Sequence, residues 1–389
     1  MIFKTRTRHK LIGSDYSAQE PRLTAFMSQD AGMMQAYKEG KDLYAVIAQS
    51  MYNNEYWENL EFYPEGMEIE LDGKKIICGK KTHLHEEGKA RRSSAKTMLL
   101  AILYGMSPAT AGRRMGKTPE EGKALMDNFF SKFPAVKQLI DDSRAQLVST
   151  GYVEDWAGRR RHLPDIFLAP YEVEYKDQEK QLGMVFNPFL ECDNRSFMDD
   201  KLRNALIQAS KLRGNKQFDK LAEELSKEGV TLSANTGRIA QAERQCLNAR
   251  IQGGAASLTK LAMVNIQNNE RLQELDAHLI ITVHDEVLVE CPAAYADEVE
   301  KLLPQIMIDT AKPYINVPMA CDPYCVDRWY ADVAGSSLRK EYKKLEEKAE
   351  EAGTSLTRDE LIAKLVKKHP EYTEACIMAA ISSDDDIVL

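Results

Sequence analysis

Two apolar segments that flank a short polar tip constrain the fold of this chain most. The runs His278–Val283 and Val287–Glu290 are rich in β-branched residues and leucine, and His284-Asp285-Glu286 lies between them. Apolar runs on either side of a few polar residues predict a β-hairpin. The polar side chains then lie at the tip of the hairpin, where they are available for chemistry.

A third apolar run ends at an acid in the same way. Leu11–Ser14 is followed by Asp15, far from Asp285 in sequence. If the two strands are neighbours in one antiparallel sheet, the carboxylates of Asp15 and Asp285 converge. Two such charges about 4 Å apart repel by roughly 4 kcal/mol at an effective dielectric constant near 20, so without a counter-charge they share a proton. Divalent cations remove that repulsion, whereas an isolated acid at a strand end is an ordinary turn residue.

Residues 91–105 predict one helix with a cationic stripe. Arg92, Lys96, Leu100 and Tyr104 recur every four residues and therefore share one face. Two cations a turn apart, near the positive end of a helix, suit two neighbouring phosphates, and Tyr104 follows about three turns on, where a base or sugar would lie. The stripe suits a nucleoside triphosphate. A solvated amphipathic helix with a basic start explains the same pattern.

Magnesium fits this combination of residues. Oxygen ligands, a partial coordination shell and a triphosphate partner are typical of Mg²⁺ sites. Two such ions a few ångströms apart stabilise both the attacking and the leaving oxygen of an in-line displacement. If the carboxylates of Asp15 and Asp285 converge, the residues therefore favour magnesium between them over an ordinary turn role for each acid.

Composition excludes some classes of protein. With 43% hydrophobic and 29% charged residues among 389, the chain is typical of a soluble globular protein. We find neither an apolar run of about 18 residues nor a signal-peptide pattern, so we expect a cytoplasmic protein with no membrane partner. The net charge of −8 argues against indiscriminate nucleic-acid binding. Residues 80–166, however, carry sixteen Lys and Arg against ten Asp and Glu, which favours contact with phosphate along one path.

Five stretches, in order, resemble motifs of family A DNA polymerases, the bacterial DNA polymerase I type. The resemblance covers about residues 11–330 apart from 167–237, and the ordered set is more specific than any one motif. The stretches are Asp15-Tyr16-Ser17-Ala18-Gln19-Glu20-Pro21-Arg22, Arg92-x3-Lys96-x7-Tyr104-Gly105, the Gly151–Ile166 region with Gly158-Arg159-Arg160-Arg161, Arg244-x3-Asn248-x3-Gln252-Gly253, and His284-Asp285-Glu286.

The resemblance implies a catalytic centre built on the acids. Asp15 and Asp285 would hold two magnesium ions, the main-chain carbonyl of Tyr16 would assist, and Glu286 would support them. His284 would lie beside the primer terminus.

The resemblance also implies how the nucleotide is bound. Arg92 and Lys96 would bind the triphosphate of the incoming deoxynucleotide, and Lys96 is the candidate proton donor to pyrophosphate. Glu20 and Tyr104 would close against the 2′ position of the sugar, a gate that favours deoxynucleotides. Leu100 stands where the family usually has an aromatic ring that takes part in sugar discrimination.

Other implied contacts concern the primer-template DNA. Arg244, Asn248 and Gln252 are four residues apart, hence on one helix face, and would touch the minor groove of the nascent duplex. That groove offers acceptors common to all correct base pairs, so such contacts test pair shape rather than sequence. Two further departures from the family pattern are Tyr44, in place of a usual triphosphate-contacting histidine, and Pro21, in place of Leu or Ile.

The implied architecture is the right-hand polymerase fold of class α+β, with an antiparallel palm sheet and largely helical fingers. We expect the following divisions: palm 1–43 and 244–330, fingers 44–243 with a hairpin insertion near 53–79 and a helical insertion at 167–237, and a C-terminal helical extension with an acidic tail at 331–389.

The thumb and exonuclease-type domain that the family carries before Asp15 have no counterpart in these residues. We therefore expect either a fragment or, as our hypothesis, the C-terminal part of a split, phage-like polymerase. A separate N-terminal chain would then supply the thumb and exonuclease, and the enzyme would work in the cytoplasm of a bacterial host.

Two other functions remain open on the sequence. A single-subunit RNA polymerase shares the palm and the Lys/Tyr helix, but Glu20 at the sugar gate disfavours ribonucleotides. A non-catalytic subunit with a polymerase-like fold would bind only DNA or a partner. Retention of both metal-binding acids and of Lys96 disfavours that alternative.

Overall fold

The computed structural model describes residues 5–71, 74–175, 184–186, 200–212, 215–327 and 357–368, together with positions 329, 342 and 345. The chain divides into two compact units. The sheet unit consists of Met1–Ser17, Leu258–Pro313 and Met319–Leu389, and the helical unit consists of Ala18–Ser257 and Tyr314–Pro318.

The strands, in chain order, are β1 (His9–Tyr16), β2 (Glu68–Leu71), β3 (Lys74–Ile77), β4 (Tyr152–Glu154), β5 (Arg160–His162), β6 (Tyr171–Tyr175), β7 (Met184–Phe186), β8 (Val230–Ala234), β9 (His278–Val283), β10 (Glu286–Pro292) and β11 (Cys321–Val326). The helices are α1 (Gln19–Ser28), α2 (Ala31–Lys38), α3 (Leu43–Tyr52), α4 (Glu86–Leu103), α5 (Pro108–Arg114), α6 (Pro119–Lys132), α7 (Pro134–Thr150), α8 (Asp200–Lys211), α9 (Asn215–Lys227), α10 (Thr236–Gln267), α11 (Glu270–Glu274), α12 (Ala296–Ala311) and α13 (Arg358–Lys368). Short 3-10 turns lie at Tyr56–Asn59, Pro164–Phe167 and Ala293–Tyr295. Helices together with antiparallel sheets confirm the α+β class.

The sheet unit is built on four antiparallel strands in the order β11-β1-β10-β9. The predicted hairpin is β9–β10, and the predicted strand that ends in an acid is the neighbouring β1. Alternation of side chains assigns every second residue of β1 to the same face of the sheet. Tyr16 is on the face that packs against α12, since its hydroxyl donates to the carbonyl of Met307 at 2.8 Å. Asp15 is therefore on the opposite face.

Burial explains why the two central strands are fixed in this register. Ile12 and Tyr16 on β1 are 0% and 1% exposed, and Val287 and Val289 on β10 are fully buried. A slip of one residue would move Ile12 and Tyr16 off the face that packs against α12 and turn Asp15 toward that helix. The apolar pattern that predicts the strands therefore also fixes which way Asp15 points.

The helical unit contains the helix with the cationic stripe. One face of α4 is buried through Ala95, Met98, Leu99 and Ile102, and its main neighbours are α3 and the turn Tyr56–Asn59. The stripe lies on the other face and is accessible to solvent. The packing of the apolar face, more than helix propensity, therefore holds the helix in place.

The insertion at 167–237 is more than helical. Its predicted helices are present as α8 and α9, but a three-stranded antiparallel sheet, β7-β6-β8, packs with them. They share a hydrophobic core of their own, made of Val173, Leu202, Ala205, Leu206, Ala209, Leu225, Val230 and Leu232. We call residues 171–234 the insertion module.

Two other predicted features are only partly described. The hairpin expected near 53–79 is β2–β3, but its turn at 72–73 lies outside the described residues. Of the C-terminal extension, α13 is described and the acidic tail lies outside the described residues. Among the helices in the described ranges, none has both the length and the apolar character needed to cross a membrane.

Candidate active site

The two candidate metal-binding acids lie at the same end of the sheet. β1 and β10 pair with Asp15 opposite Glu286, so Asp285 is one residue from the partner of Asp15. The backbone N–H of Tyr16 donates to the carbonyl of Asp285 at 3.4 Å. Strand pairing and the β9–β10 turn thus bring together two acids that are 270 residues apart in sequence.

A row of acids crosses three strands beside this point. β11 pairs with β1 so that Asp322 faces Asp15 on the side opposite to Glu286. Because paired residues lie on one face of a sheet, Asp322, Asp15 and Glu286 form a row. We call the side that carries this row the acidic face. Neither Asp322 nor its neighbour Tyr324 was among the predicted site residues.

The electrostatics of Asp15 reflect this crowding. Burial raises the pKa of Asp15 to about 7, together with the charge of Asp285 and a hydrogen bond shared with it, and with the charges of Glu286 and Asp322. Within the described part of the chain, the buried Oδ1 atom of Asp15 has no hydrogen-bond partner. A buried carboxylate oxygen in a negative environment and without a donor is the environment that a cation would satisfy.

The acid pair fits a divalent cation as a partial ligand set. The described residues contain no group of three or more His, Cys, Asp or Glu arranged as metal ligands. Asp15 and Asp285 therefore supply two carboxylates rather than a closed cage. Hard divalent cations take oxygen ligands and are often held by only one or two carboxylates, so this donor set fits a divalent cation.

The hairpin tip is held in an unusual conformation. His284 and Asp285 form the two-residue connection between β9 and β10, and His284 has a φ of 56° although it is not glycine. Left-handed residues of this kind cost about 1–2 kcal/mol and concentrate at functional sites. The exposed His284 and the half-buried Asp285 are therefore presented by a tight turn rather than by a mobile loop.

The helix α4 begins before residues 91–105, the range that the sequence predicts. It starts at Glu86, with Glu86 and Glu87 in its first turn, so Arg92 and Lys96 lie in its second and third turns. The favourable field of a helix N-terminus falls off within about one turn. The expectation that the helix dipole assists these two cations is therefore wrong. The spacing of the stripe itself is as expected.

The first cation of the stripe already has a carboxylate partner. The Nε atom of Arg92 is 2.5 Å from the Oδ2 atom of Asp42, and its guanidinium lies 5.3 Å from the centre of the Tyr44 ring. The other oxygen of Asp42 caps α3 by accepting from the backbone N–H groups of Tyr44 and Ala45. Lys96, one turn beyond Arg92, is exposed. Asp42 was not a predicted site residue, although an Asp before an apolar helical run is a helix-start signal.

The end of the stripe is joined to the predicted minor-groove residues. Gln252 donates from Nε2 to the hydroxyl of Tyr104 at 2.8 Å, and Asn248 donates to Gln252 at 3.0 Å. The charge of Glu20 also raises the pKa of Tyr104, after the larger effect of burial, so Glu20 lies nearby. Leu100 is half-buried on the same stripe.

Gly105 explains how closely these two helices approach. Its φ is 62°, and a Cβ atom at this position would lie 3.0 Å from the Cα atom of Arg244 on α10. Glycine is therefore suited to position 105 for two reasons: it tolerates the left-handed backbone, and it has no side chain to clash with Arg244. The helical unit thus brings together Tyr104, Glu20, Arg244, Asn248 and Gln252.

The family of the chain follows from comparison with known proteins. Residues 77–184 and 218–331 match the model of DNA polymerase family A. The thermostable DNA polymerase I of Thermus filiformis is 26% identical over 309 residues, which are 79% of this chain and 26% of that protein. DNA polymerase I of Chloroflexus aurantiacus is 24% identical over 320 residues, 82% of this chain and 24% of that protein. The chain thus spans about a quarter of the length of these relatives.

The fold is also found among solved structures. The POL domain of Pol1 from M. smegmatis, solved in complex with DNA primer-template and dNTP, has a TM-score of 0.56 at 22% sequence identity. The likeness covers 84% of this chain and 41% of that one, and at this identity it shows the fold alone. Because the family model matches more than half of the 389 residues, this chain belongs to DNA polymerase family A.

Proposed function

We propose that this chain carries the catalytic residues for template-directed DNA synthesis, the addition of deoxynucleotides to the 3′ end of a primer. The proposal depends above all on the meeting of Asp15 and Asp285 at one end of an antiparallel sheet in a family A chain. Among the described residues the Oδ1 atom of Asp15 has no hydrogen-bond partner, and this and the raised pKa of its carboxyl support a cation-binding role for the pair.

The acids of the sheet unit would hold two Mg²⁺ ions. Asp15 and Asp285 are the side-chain ligands, and Tyr16 contributes its main-chain carbonyl. When bound, the ions supply charge stabilisation to the attacking and leaving oxygens of nucleotidyl transfer. Glu286, next to Asp285 in the chain and opposite Asp15 across the sheet, supports these ligands.

The helical unit would bind the nucleotide. The guanidinium of Arg92 forms charge-assisted hydrogen bonds to phosphate oxygens, and the exposed ammonium of Lys96 binds the neighbouring phosphate and donates a proton to the leaving pyrophosphate. Glu20 and Tyr104 close against the 2′ position of the sugar, with Leu100 beside them on the stripe. A carboxylate there excludes a 2′-hydroxyl and thus selects deoxynucleotides.

Primer-template DNA would contact one face of α10 and the hairpin tip. Arg244, Asn248 and Gln252 lie on one helix face and offer donors to minor-groove acceptors. Gln252 also donates to the hydroxyl of Tyr104. Contact of Gln252 with the duplex would compete with that hydrogen bond and so link base-pair shape to Tyr104, the residue at the sugar. His284, exposed at the hairpin tip, lies beside the primer terminus in this proposal.

Extension of a primed template with Mg²⁺ tests the proposal. We expect Asp285→Ala to lower kcat by about a thousandfold, because several kcal/mol of charge stabilisation is lost. Asp276→Asn is the matched control, since Asp276 is an exposed acid that precedes β9 at the opposite end of the hairpin. Synthesis by the Asp285→Ala protein at the wild-type rate would contradict the proposal and favour a non-catalytic role.

Two additions to the assay separate the remaining alternatives. Incorporation of ribonucleotides as efficiently as deoxynucleotides would favour an RNA polymerase-like enzyme, and Glu20→Ala should raise ribonucleotide use if Glu20 is the gate. The assay is run with the chain alone and with a separate polypeptide equivalent to the remaining part of the relatives. A rate that is unchanged by that polypeptide would contradict the split arrangement.

A further inference from the structure

The acidic face carries a second row of residues next to the acids. β11 and β1 pair Tyr324 with Gly13, and β1 and β10 pair Gly13 with Leu288. Each of these residues is two positions from a member of the acidic row, so both rows lie on the same face. Tyr324 lies on β11, two residues from Asp322. It is opposite Gly13, the only residue of β1 without a side chain.

The ring of Tyr324 lies directly over Gly13. A Cβ atom at position 13 would overlap the Cζ atom and the hydroxyl oxygen of Tyr324. Even alanine is excluded at position 13 while the ring stays in place. The missing side chain leaves a channel across β1 through which the phenol reaches from the edge strand β11 to the central strand β10.

The phenol ends at an acid of the candidate active site. The hydroxyl of Tyr324 donates a hydrogen bond to the Oε1 atom of Glu286. On the other side of Asp15, the hydroxyl of Ser17 donates to the Oδ2 atom of Asp322 at 2.5 Å. Both acids that flank Asp15 thus accept from neutral hydroxyl groups, whereas Oδ1 of Asp15 has no partner in the described part of the chain.

We propose that Tyr324 is a positioning residue that holds the Glu286 carboxylate beside Asp15, so that the acid pair meets its cations with Glu286 already in place. This inference rests on the proposed function of the acids. A glutamate side chain has several rotamers, and fixing it on binding costs conformational free energy. A hydrogen bond from a rigid ring, itself fixed over Gly13, removes that cost before the cation arrives.

A double-mutant cycle between Tyr324 and Glu286 tests the proposal. Tyr324→Phe keeps the ring over Gly13 and removes only the hydroxyl. Binding of Mn²⁺ to the full chain is measured by electron paramagnetic resonance, and nucleotide incorporation is measured with the same samples. We expect Tyr324→Phe to weaken Mn²⁺ binding and to lower kcat, each by about tenfold, the size of one charge-assisted hydrogen bond, with little change in KM for the nucleotide.

In the Glu286→Gln background the same Tyr324→Phe change should alter Mn²⁺ affinity and kcat by less than about twofold, because the group it positions is already lost. A merely structural tyrosine would give effects that multiply, and that result would overturn the proposal. Unchanged or tighter Mn²⁺ binding in Tyr324→Phe would overturn it as well. Tyr295→Phe, an exposed tyrosine beyond the other end of β10, is the matched control and should alter neither quantity.

Gly13→Ala tests the same inference by a steric clash, without removing the hydroxyl group of Tyr324. The added methyl group displaces the ring, so we expect lower thermal stability and the same loss of Mn²⁺ affinity as in Tyr324→Phe. Removing the ring as well, in Gly13→Ala/Tyr324→Ala, should restore the melting temperature to that of Tyr324→Ala without restoring Mn²⁺ affinity. Wild-type Mn²⁺ affinity in Gly13→Ala would overturn the inference.

The measurement of Mn²⁺ binding also distinguishes failure of this inference from failure of the proposed function. Coupled Mn²⁺ binding without primer extension would support the positioning role and contradict DNA synthesis. Primer extension without coupling between Tyr324 and Glu286 would support DNA synthesis and overturn the positioning role.

Discussion

The surroundings of Asp15 disfavour the negative charge that its proposed role requires. Burial, Asp285 and the flanking acids raise its pKa to about 7, from an ordinary value of 3.8 that applies to the unfolded chain. Between these values the folded protein binds more protons than the unfolded chain. Stability from this group is therefore greatest at low pH and falls as the pH rises through that range.

The corresponding prediction concerns Asp15→Asn in EDTA. Its melting temperature should exceed that of the wild type by a few degrees at pH 8 and by less at pH 4, where the carboxyl is protonated in the folded protein. Added Mg²⁺ should raise the melting temperature of the wild type at pH 8 and leave that of the variant unchanged. Differential scanning calorimetry measures the melting temperatures of both proteins at each pH, and at pH 8 with and without Mg²⁺. A stabilisation of equal size at both pH values would rule out the raised pKa as its cause.

Arg92 offers a second prediction at a single side chain. Its half-exposed ion pair with Asp42 competes with a triphosphate for the same guanidinium. Asp42→Asn keeps a good helix cap for α3 and removes the competing charge, so KM for the nucleotide should fall by up to about fivefold, the worth of an exposed ion pair. Steady-state kinetics measure this change. A raised KM would mean that Asp42 orients Arg92 rather than competing for it.

Asp42→Ala is the control for that experiment. It removes the same charge but also the cap of α3, which costs about 1 kcal/mol of stability. Its KM should fall as in Asp42→Asn, while its unfolding midpoint should be lower.

Secondary-structure elements were predictable where their apolar pattern was strong. β1, β9 and β10 follow directly from apolar runs that end in polar residues. The edge strand β11 escaped prediction because Pro323 interrupts its pattern, and an edge strand is where a sheet tolerates proline. The pairing partner of Asp15 on that side, Asp322, was therefore missed with it.

The strands of the insertion module escaped prediction for another reason. β6 reads Tyr-Glu-Val-Glu-Tyr, an alternation of apolar and acidic residues that is too short to stand out from the charged segments around it. Hydrophobic periodicity identifies α8 and α9 without any knowledge of what they pack against. The small core that joins helices and strands depends on pairings between β6 and β8, about sixty residues apart, which local pattern does not specify.

The ends of the insertion module suggest that it can be removed. Tyr171 pairs with Ala234, and the side chain of Asn235 donates to the carbonyl of Ala169 at 3.0 Å. Because the two ends are adjacent, replacing 172–233 by a short Gly-Ser loop should leave the rest of the chain folded, with a melting temperature within a few degrees of the wild type. Calorimetry and circular dichroism measure this. Loss of cooperative unfolding would show that the module stabilises the rest of the protein.

The charge distribution of the whole protein predicts its response to salt. The net charge is −8, yet residues 80–166 are net basic, so duplex DNA is expected to meet one basic path on an acidic molecule. For about four phosphate contacts, affinity for a primed template should fall roughly a hundredfold between 50 and 200 mM salt. Fluorescence anisotropy at several salt concentrations gives the slope. A slope near zero would exclude backbone phosphate contacts as the main source of affinity.

The pairing of β1 with β10 has one more consequence. The same alignment that packs Ile12 and Tyr16 on the side of α12 turns Asp15 toward the acids, so a molecule with β1 offset by a single position would lose the packing of Tyr16 and the meeting of the acids together. Deleting one residue from β1 should therefore give inactive, poorly folded protein rather than a stable but inert enzyme. Active-site titration of a purified sample gives the fraction of active molecules. For this fold, the same number should equal the fraction of correctly folded molecules.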